Sequence, residues 1–449
     1  MSKLFGTDGV RGVANIEPMT AEMALAIGRA TAHVCKKHHN RHRIVIGKDT
    51  RISGYMIETA LTAGICSMGV DVLLVGPLPT PGIAFITHSM RADAGMVISA
   101  SHNPYQDNGI KIFSRDGYKI PDSVENEIES LLTTRKIKDI RPTADDIGKA
   151  HRIDDAIGRY IVFCKNTFPD NLTMEGLKII LDCANGATYK VAPIIFAELG
   201  AEVITINDHP NGMNINANCG ALHPETLAKK VVESGAHVGL AFDGDGDRLV
   251  AVDEQGNILT GDHIMTICAK ALKESGMLRN NLMIVTPMSN FGFRQAMREI
   301  DIAVEDAEVG DRYVLKLMRE KGAVFGGEDS GHIIFSHLHT TGDGIISALQ
   351  LVANIQSSAK KLSELRALLR LTPQKLLNIT VSSKPPLGEI KPLQEAIHRA
   401  EKELAGSGRV LVRYSGTQPI CRVMVESMEQ AVTDRITDSL ADIVKKTLA

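Results

Sequence analysis

The chain is 449 residues long, a length that predicts two to four domains rather than one core. Hydrophobic residues make up 44% and charged residues 23%, the balance of a folded soluble protein, and no apolar run reaches the roughly 20 residues that cross a bilayer. A net charge of −3, no Trp and 4% aromatics exclude the positive field and stacking surface that nucleic acid or an anionic membrane would use.

From the amino terminus, Phe5-Gly6-Thr7-Asp8-Gly9 reads as functional and leaves no room before it for a basic and then apolar leader. Short β-branched runs then alternate with helix-like stretches, the pattern of an α/β protein. One arrangement occurs three times. In the first unit Ile44-Val45-Ile46 is a strand, 53–68 a helix and 70–75 a strand, and the strand 95–98 runs into Ser99-Ala100-Ser101-His102-Asn103-Pro104. In the second, 178–181 and 202–206 are strands and 223–233 is helical, and the strand 238–242 runs into Asp243-Gly244-Asp245-Gly246-Asp247-Arg248. In the third, 282–285 and 302–304 are strands and 310–320 is helical, and the strand 323–325 runs into Gly326-Gly327-Glu328-Asp329-Ser330-Gly331-His332. Ligands collect at the carboxyl ends of strands in α/β sheets, so three polar loops from three related units predict one shared cleft.

The tail differs. After a linker at Leu371-Thr372-Pro373 come a strand at 377–381 and a helix at 391–404, and then strands at 409–412 and 422–425 around Arg413-Tyr414-Ser415-Gly416-Thr417-Gln418-Pro419. An amphipathic helix over 429–448 closes the chain. The expected fold is therefore three related α/β domains with mixed sheets, over 1–153, 154–254 and 255–370, and a smaller α+β domain over 371–449, around one central cleft.

The loops carry distinct chemistry. Asp243, Asp245 and Asp247 alternate along an extended segment, pointing to one side, and the glycines between them let the backbone curl around an ion. Such hard oxygen ligands suit magnesium or calcium. An EF-hand is excluded, because Arg248 occupies the sixth position, where that loop needs glycine, and the flanks are strand-like. Ser101 needs activation or prior modification to transfer a group. Neighbouring His102 suggests a hydrolase pair, but adjacent residues seldom face each other, and no nucleophile elbow surrounds the serine. A phosphoserine completing the coordination of the aspartate-held ion fits better. Lys111 serves proton transfer if neighbouring cations lower its pKa. Glu328, Ser330 and His332 offer a grip on sugar hydroxyls, and Arg413, Ser415, Gly416, Thr417 and Arg422 offer a grip on a non-reacting phosphate.

Over its whole length the chain resembles the α-D-phosphohexomutases, four-domain enzymes with these four loops. The resemblance is carried by Phe5-Gly6-Thr7-Asp8-Gly9-Val10-Arg11-Gly12, by 98–104 around Ser101, by 326–332, and by Thr340-Thr341-Gly342-Asp343-Gly344. It implies interconversion of glucosamine 6-phosphate and glucosamine 1-phosphate on the way to UDP-N-acetylglucosamine, through a phosphorylated Ser101 and a glucosamine 1,6-bisphosphate. It also implies one Mg2+ on Asp243, Asp245, Asp247 and the Ser101 phosphate, and catalytic roles for Ser101, Arg11, Lys111 and His332. Arg248 lies beside the metal, Glu328 and Ser330 hold the sugar, and Arg413, Ser415, Gly416 and Thr417 hold the distal phosphate. A homodimer is carried over from the family, and Ser101 requires a kinase or autophosphorylation.

Two departures stand in the phosphate loop, where the family usually has proline and glutamate. Tyr414 releases the backbone from a fixed φ, and Gln418 removes a negative charge. Asp329, where an uncharged residue is usual, touches sugar specificity. Two other readings compete: a phosphomannomutase or phosphoglucomutase built from the same parts, and a non-catalytic sugar-phosphate binding protein. The seven cysteines are odd in number, dispersed and without a Cys-x-x-Cys pair, so free thiols in a reducing cytoplasm are expected.

Overall fold

A computed structural model describes residues 4–36, 42–134, 136–415 and 419–448. The chain divides into two compact units, Met1–Met288 with Ala303–Ala367, and Ser289–Ile302 with Leu368–Ala449. Among the described residues no helix is long and apolar enough to cross a membrane, and all seven cysteines are free.

The first unit contains three sheets. One holds β1 (Val10–Val13), β2 (Arg43–Lys48), β3 (Asp71–Pro77), β4 (Ala94–Ile98), β5 (Asp107–Ser114) and β6 (Ala150–Arg152), with helices α1 (Ala21–Cys35), α2 (Gly54–Cys66), α3 (Thr80–Ser89) and α4 (Asp122–Thr134). The next holds β7 (Lys178–Asp182), β8 (Glu202–Ile206), β9 (Val238–Phe242), β10 (Leu249–Asp253) and β11 (Ile258–Leu259), with α5 (Ala156–Lys165), α6 (Val191–Glu198) and α7 (Glu225–Ser234). The third holds β12 (Leu282–Val285), β13 (Ala303–Asp306), β14 (Phe325–Gly327) and β15 (Ile333–Phe335); in that stretch of chain α8 (Gly261–Glu274) precedes the strands, α9 (Phe291–Glu299) and α10 (Asp311–Lys321) fall between them, and α11 (Gly344–Ser358) and α12 (Leu362–Arg366) follow.

The three sheets share one order. β3-β2-β4-β5, β8-β7-β9-β10 and β13-β12-β14-β15 each place the first strand between the second and third, and the fourth beside the third. The first three strands run parallel and the fourth returns antiparallel. Each polar loop is thus the hairpin that turns the third strand into the fourth. The central parallel strands are buried on both faces, so they read as unbroken apolar runs such as Val238-Gly239-Leu240-Ala241-Phe242, whereas the edge strands β8 and β13 are partly exposed.

The boundary at the third polar loop differs from expectation. The strand expected at 323–325 lies at Phe325–Gly327, so Gly326 and Gly327 belong to the sheet. A β-carbon on Gly326 would stand 2.4 Å from the Ile284 carbonyl, so the close approach of two strands requires glycine here. Lys111 lies within β5, opposite Val97 of β4.

α11 begins at a buried cap. Asp343 Oδ1 accepts from the Ile345 and Ile346 amides at 2.9 and 3.1 Å, and Tyr160 of α5 donates to Oδ2 at 2.7 Å. Burial pushes the Asp343 carboxyl from 3.8 up to about 6. Its folded pKa is therefore above the unfolded one, the folded state binds the proton more tightly, and stability falls as pH rises between these values. Asp343→Asn cannot titrate. Urea unfolding of the two proteins will show wild-type stability, relative to Asp343→Asn, falling by about 2–3 kcal/mol between about pH 4 and pH 6. A constant difference between them would refute this assignment.

The second unit is built on an antiparallel sheet, β16 (Gln374–Thr380), β18 (Ile420–Ser427) and β17 (Gly408–Tyr414) in that order, with α13 (Lys391–Leu404) and α14 (Gln430–Leu448). Leu393, Leu404, Val423, Val425, Leu440 and Val444 form its core. α9 belongs to it as well. Asn290, which caps α9, donates to the Thr372 carbonyl at 3.1 Å, and the Phe291 amide donates to the buried Glu426 at 3.0 Å.

Candidate active site

The serine loop is fixed by its backbone. Arg51, fully buried after the end of β2, donates to the carbonyls of Ser101, Asn103 and Pro104 at 2.9, 2.8 and 2.6 Å, and its Nε binds Asp49 at 2.9 Å. Asn216, on the chain between β8 and β9, donates to the Ser101 and Asn103 carbonyls at 2.9 and 3.1 Å. The Ser101 amide donates to Ser99 Oγ at 2.9 Å, and that hydroxyl donates to Asp49 at 2.5 Å. So many partners hold Ser101 at φ +51°, a left-handed conformation uncommon for serine.

That conformation overturns one expectation. His102 Nδ1 lies 3.3 Å from Ser101 Oγ, because the left-handed turn brings two adjacent side chains together. Burial, with Arg248 and Arg11 nearby, lowers the His102 pKa to about 4, so the ring is neutral.

The acidic loop also differs in form. It is a turn, closed by the Gly246 amide on the Asp243 carbonyl at 3.0 Å with Gly246 at φ +72°, and not an extended segment. The turn, rather than strand alternation, makes the carboxylates converge. Asp243, Asp245 and Asp247 are buried, with one oxygen of each within 4.8 Å of the others. Gly344 at the start of α11 donates to the Gly246 carbonyl at 3.0 Å, and a β-carbon on Gly244 would meet the Ser101 carbonyl at 2.7 Å. Only glycine lets the two loops approach this closely.

Together they form one constellation. Ser101 Oγ donates to Asp243 Oδ2 at 2.8 Å. Asp245 Oδ2 accepts from Thr80 at 2.6 Å and from Lys111 at 2.9 Å. Asp245 Oδ1 and Asp247 Oδ1 are buried without a hydrogen-bond partner among the described residues. Burial and the charges of Asp247 and Asp245 raise the Asp243 pKa well above the usual carboxylate range. Crowded carboxylates with unused oxygens fit a hard divalent cation, so this trio could hold a metal ion.

Lys111 meets the opposite of the expected environment. Its ammonium is 3.1 Å from Asp8 and 3.8 Å from Asp247 as well as bonded to Asp245. Burial opposes its charge, but these carboxylates prevail and raise its pKa rather than lower it. Asp8 also pairs with Arg11, and it meets Lys119 at 2.6 Å. Lys119 in turn meets Asp311, at the start of α10, at 2.5 Å. His332 stands 3.6 Å from Asp247 and 3.7 Å from Asp311. Burial works against its charge, yet Asp247, Asp311 and Glu328 raise its pKa to about 9.

Arg248 lies beside the acidic turn, its amide donating to Asp243 at 3.2 Å and its Nε 3.9 Å from Asp247. Glu328 accepts from the Gly310 amide at 3.1 Å and from Ser330 at 3.3 Å, and Ser330 is exposed. Asp329 does not join them. Its carboxyl interacts with Thr260 and Asp262 at the start of α8, so its departure from the usual residue serves the local fold.

In the second unit, Arg413 of β17 faces Arg422 of β18, and the Ser415 amide donates to the Ile420 carbonyl at 2.8 Å. Gly416 and Thr417 lie outside the described residues. The Tyr414 hydroxyl donates to the Pro385 carbonyl at 2.8 Å, so the side chain tethers a backbone that proline would have constrained through its ring.

Thr80, Lys119, Asp311, Asp49 and Arg51 have no role in the sequence reading, and Asp8 enters it only as part of the amino-terminal motif. A usable signal exists for some: Lys48-Asp49-Thr50-Arg51 follows a parallel strand, where polar residues face a cleft. Nothing local marks Lys119 and Asp311, which lie 192 positions apart.

Phosphoglucomutase/phosphomannomutase alpha/beta/alpha domains I, II and III match residues 2–138, 159–256 and 260–371, and the C-terminal domain of that family matches 376–443. The phosphoglucosamine mutase of Syntrophotalea carbinolica is 58% identical over 447 residues, 99% of this chain and 98% of that protein. The phosphoglucosamine mutase of Syntrophus aciditrophicus is 57% identical over 448 residues, 100% of both chains. A phosphoglucomutase/phosphomannomutase family protein of Burkholderia thailandensis, solved by crystallography, superposes with a TM-score of 0.80 at 25% identity, covering 99% of this chain and 97% of that one. The chain therefore belongs to the phosphoglucomutase/phosphomannomutase family of α-D-phosphohexomutases.

Proposed function

We propose that this protein interconverts glucosamine 6-phosphate and glucosamine 1-phosphate, the reaction named by its full-length relatives at 57–58% identity. The observation that carries the chemistry is the hydrogen bond of Ser101 to Asp243 at 2.8 Å, beside carboxylates with buried oxygens that have no hydrogen-bond partner among the described residues. In this reading Ser101 carries a phosphoryl group. The C1 hydroxyl oxygen of glucosamine 6-phosphate attacks its phosphorus, the P–Oγ bond breaks and Ser101 takes up a proton, leaving a 1,6-bisphosphate. After the bisphosphate turns over, Ser101 Oγ attacks the phosphorus at position 6 and the sugar oxygen leaves with a proton. The serine is phosphorylated again and glucosamine 1-phosphate is free.

Mg2+ held by Asp243, Asp245, Asp247 and the serine phosphate would neutralise charge on the transferring group. Arg11, Lys111 and His332 are assigned to charge stabilisation and proton transfer at the reacting oxygens. Arg248 lies along the substrate, Glu328 and Ser330 accept and donate to sugar hydroxyls, and Arg413, Ser415, Gly416 and Thr417 anchor the phosphate that is not reacting. Lys119, Asp8 and Asp311 connect the phosphoryl centre to this sugar grip. The proposal extends to four domains over 1–153, 154–254, 255–370 and 371–449, a homodimer in the cytoplasm, and first phosphorylation of Ser101 by a kinase or by itself.

Turnover of glucosamine, glucose and mannose 1-phosphates by the same preparation tests the assignment. Glucosamine 1-phosphate is expected to have the highest kcat/KM, by at least about tenfold, a difference of roughly 1.4 kcal/mol in transition-state binding. Preference for glucose or mannose phosphate would make the protein a phosphoglucomutase or phosphomannomutase instead.

A further inference from the structure

A cavity of about 540 Å³ lies within the first unit, between the segment 118–122, which runs into α4, and the helix α10. Ser101, Lys111, Arg248 and the three aspartates do not line it, so it is separate from the reacting centre. Its two walls are tied together. Lys119 meets Asp311 at 2.5 Å, and Arg312 donates to Asp122 at 2.6 Å and to Glu125 at 3.1 Å. These ties preform the space, and its size suits a small organic ligand.

The lining has two characters. Ile120, Pro121, Leu315 and Ile334 are apolar, and Tyr118 and Tyr313 add two aromatic rings. Arg312, Lys316 and Arg319 also line it, spaced four and three residues apart on one stripe of α10, where like charges repel. Asp122 and Glu125 neutralise Arg312. Among the described residues Lys316 and Arg319 form no ion pair, and neither does Glu320 beside them, so the stripe keeps an excess of positive charge. Arg319 instead lies over the Tyr118 ring, its Cζ 4.6 Å from the centre, which fixes the guanidinium at the wall. His332, 3% exposed, lines the cavity too, and its Nε2 has no hydrogen-bond partner among the described residues.

We propose that this cavity is a second ligand site, for a ring compound that carries a negative group, with the anion on Lys316 and Arg319 and the ring among the apolar side chains. Lys119, Asp311 and His332 form part of its wall, so an occupant alters turnover from outside the reacting centre. The binding stands apart from the activity proposed above, and the effect on turnover rests on it.

Anilinonaphthalene sulfonate, aromatic rings with one sulfonate, is the probe, titrated into the full chain and followed by its fluorescence. One equivalent is expected to bind, and saturating glucosamine 6-phosphate leaves its affinity within about twofold. Lys316→Met and Arg319→Met, both at exposed positions, each weaken binding about fivefold, whereas Lys316→Arg keeps it within about twofold. Leu315→Trp fills the apolar end and weakens binding at least about tenfold. Wild-type affinity in both Met variants overturns the site, and so does competitive displacement of the dye by glucosamine 6-phosphate. Saturating dye is expected to lower kcat at least about twofold with KM within about twofold. An unchanged kcat overturns the link to turnover. If wild type prefers glucose or mannose phosphate, the substrate assignment fails alone, and the same titrations with that sugar decide both the site and the link.

Discussion

Ser101→Ala is expected to reduce mutase turnover by at least about 10³-fold, while sugar-phosphate binding persists. The hydroxyl is buried and aimed at Asp243, so no other oxygen of the loop can take its place. The loop itself does not depend on it. Arg51 and Asn216 grip the carbonyls of residues 101, 103 and 104, and the Ser101 amide is held by Ser99, so every contact that fixes the backbone survives the substitution. Intact mass provides a second measurement. Phosphatase treatment removes one phosphoryl group from wild type and leaves the mass of Ser101→Ala unchanged. Full turnover by the variant, or a phosphoryl group mapped to another residue, would end the phosphoserine mechanism.

Asp245→Ala has the second largest expected effect, a loss of at least about 10²-fold in kcat together with Mg2+ binding. Its carboxylate is one of three that converge, and among the described residues its Oδ1 has no hydrogen-bond partner to compete with an ion. The fold should survive, because the substitution relieves repulsion in a buried acidic cluster and Lys111 keeps Asp8 and Asp247 as partners. Calorimetric titration with Mg2+ and circular dichroism of the same sample separate lost metal from lost structure. A chelator should silence wild type in the same way. Undiminished activity in the chelator would show that the carboxylates serve something other than a metal.

Much of this arrangement was legible in the sequence, for a definite reason. Parallel strands buried on both faces leave apolar runs, and the loops at their carboxyl ends collect charge, so Ser101, the three aspartates and the 328–332 string stand out against their flanks. What escaped depends on distance or on dihedral angle. Glycines 326 and 327 suggest a turn, but a strand needs them where two backbones nearly touch. The contact of Ser101 with His102 follows from one positive φ that many partners enforce. The environment of Lys111 is set by Asp245 and Asp8, which are distant from it in the chain, and no local pattern gives its sign. α9 follows β12 in the chain yet packs through Asn290 and Phe291 with the last sheet, so chain order misplaces it.

Asp8 is shared by Arg11, Lys111 and Lys119, and Lys119 is shared again with Asp311, in a row of alternating sign. A row of this kind has no loose end. In the proposed reading the start of α10 borders the sugar and Asp8 borders the phosphoryl group, so a charge changed at one end alters the field at the other. On that reading, substitutions beside Asp311 made to admit another hexose are expected to change turnover as well as sugar preference, through Lys119 and Asp8.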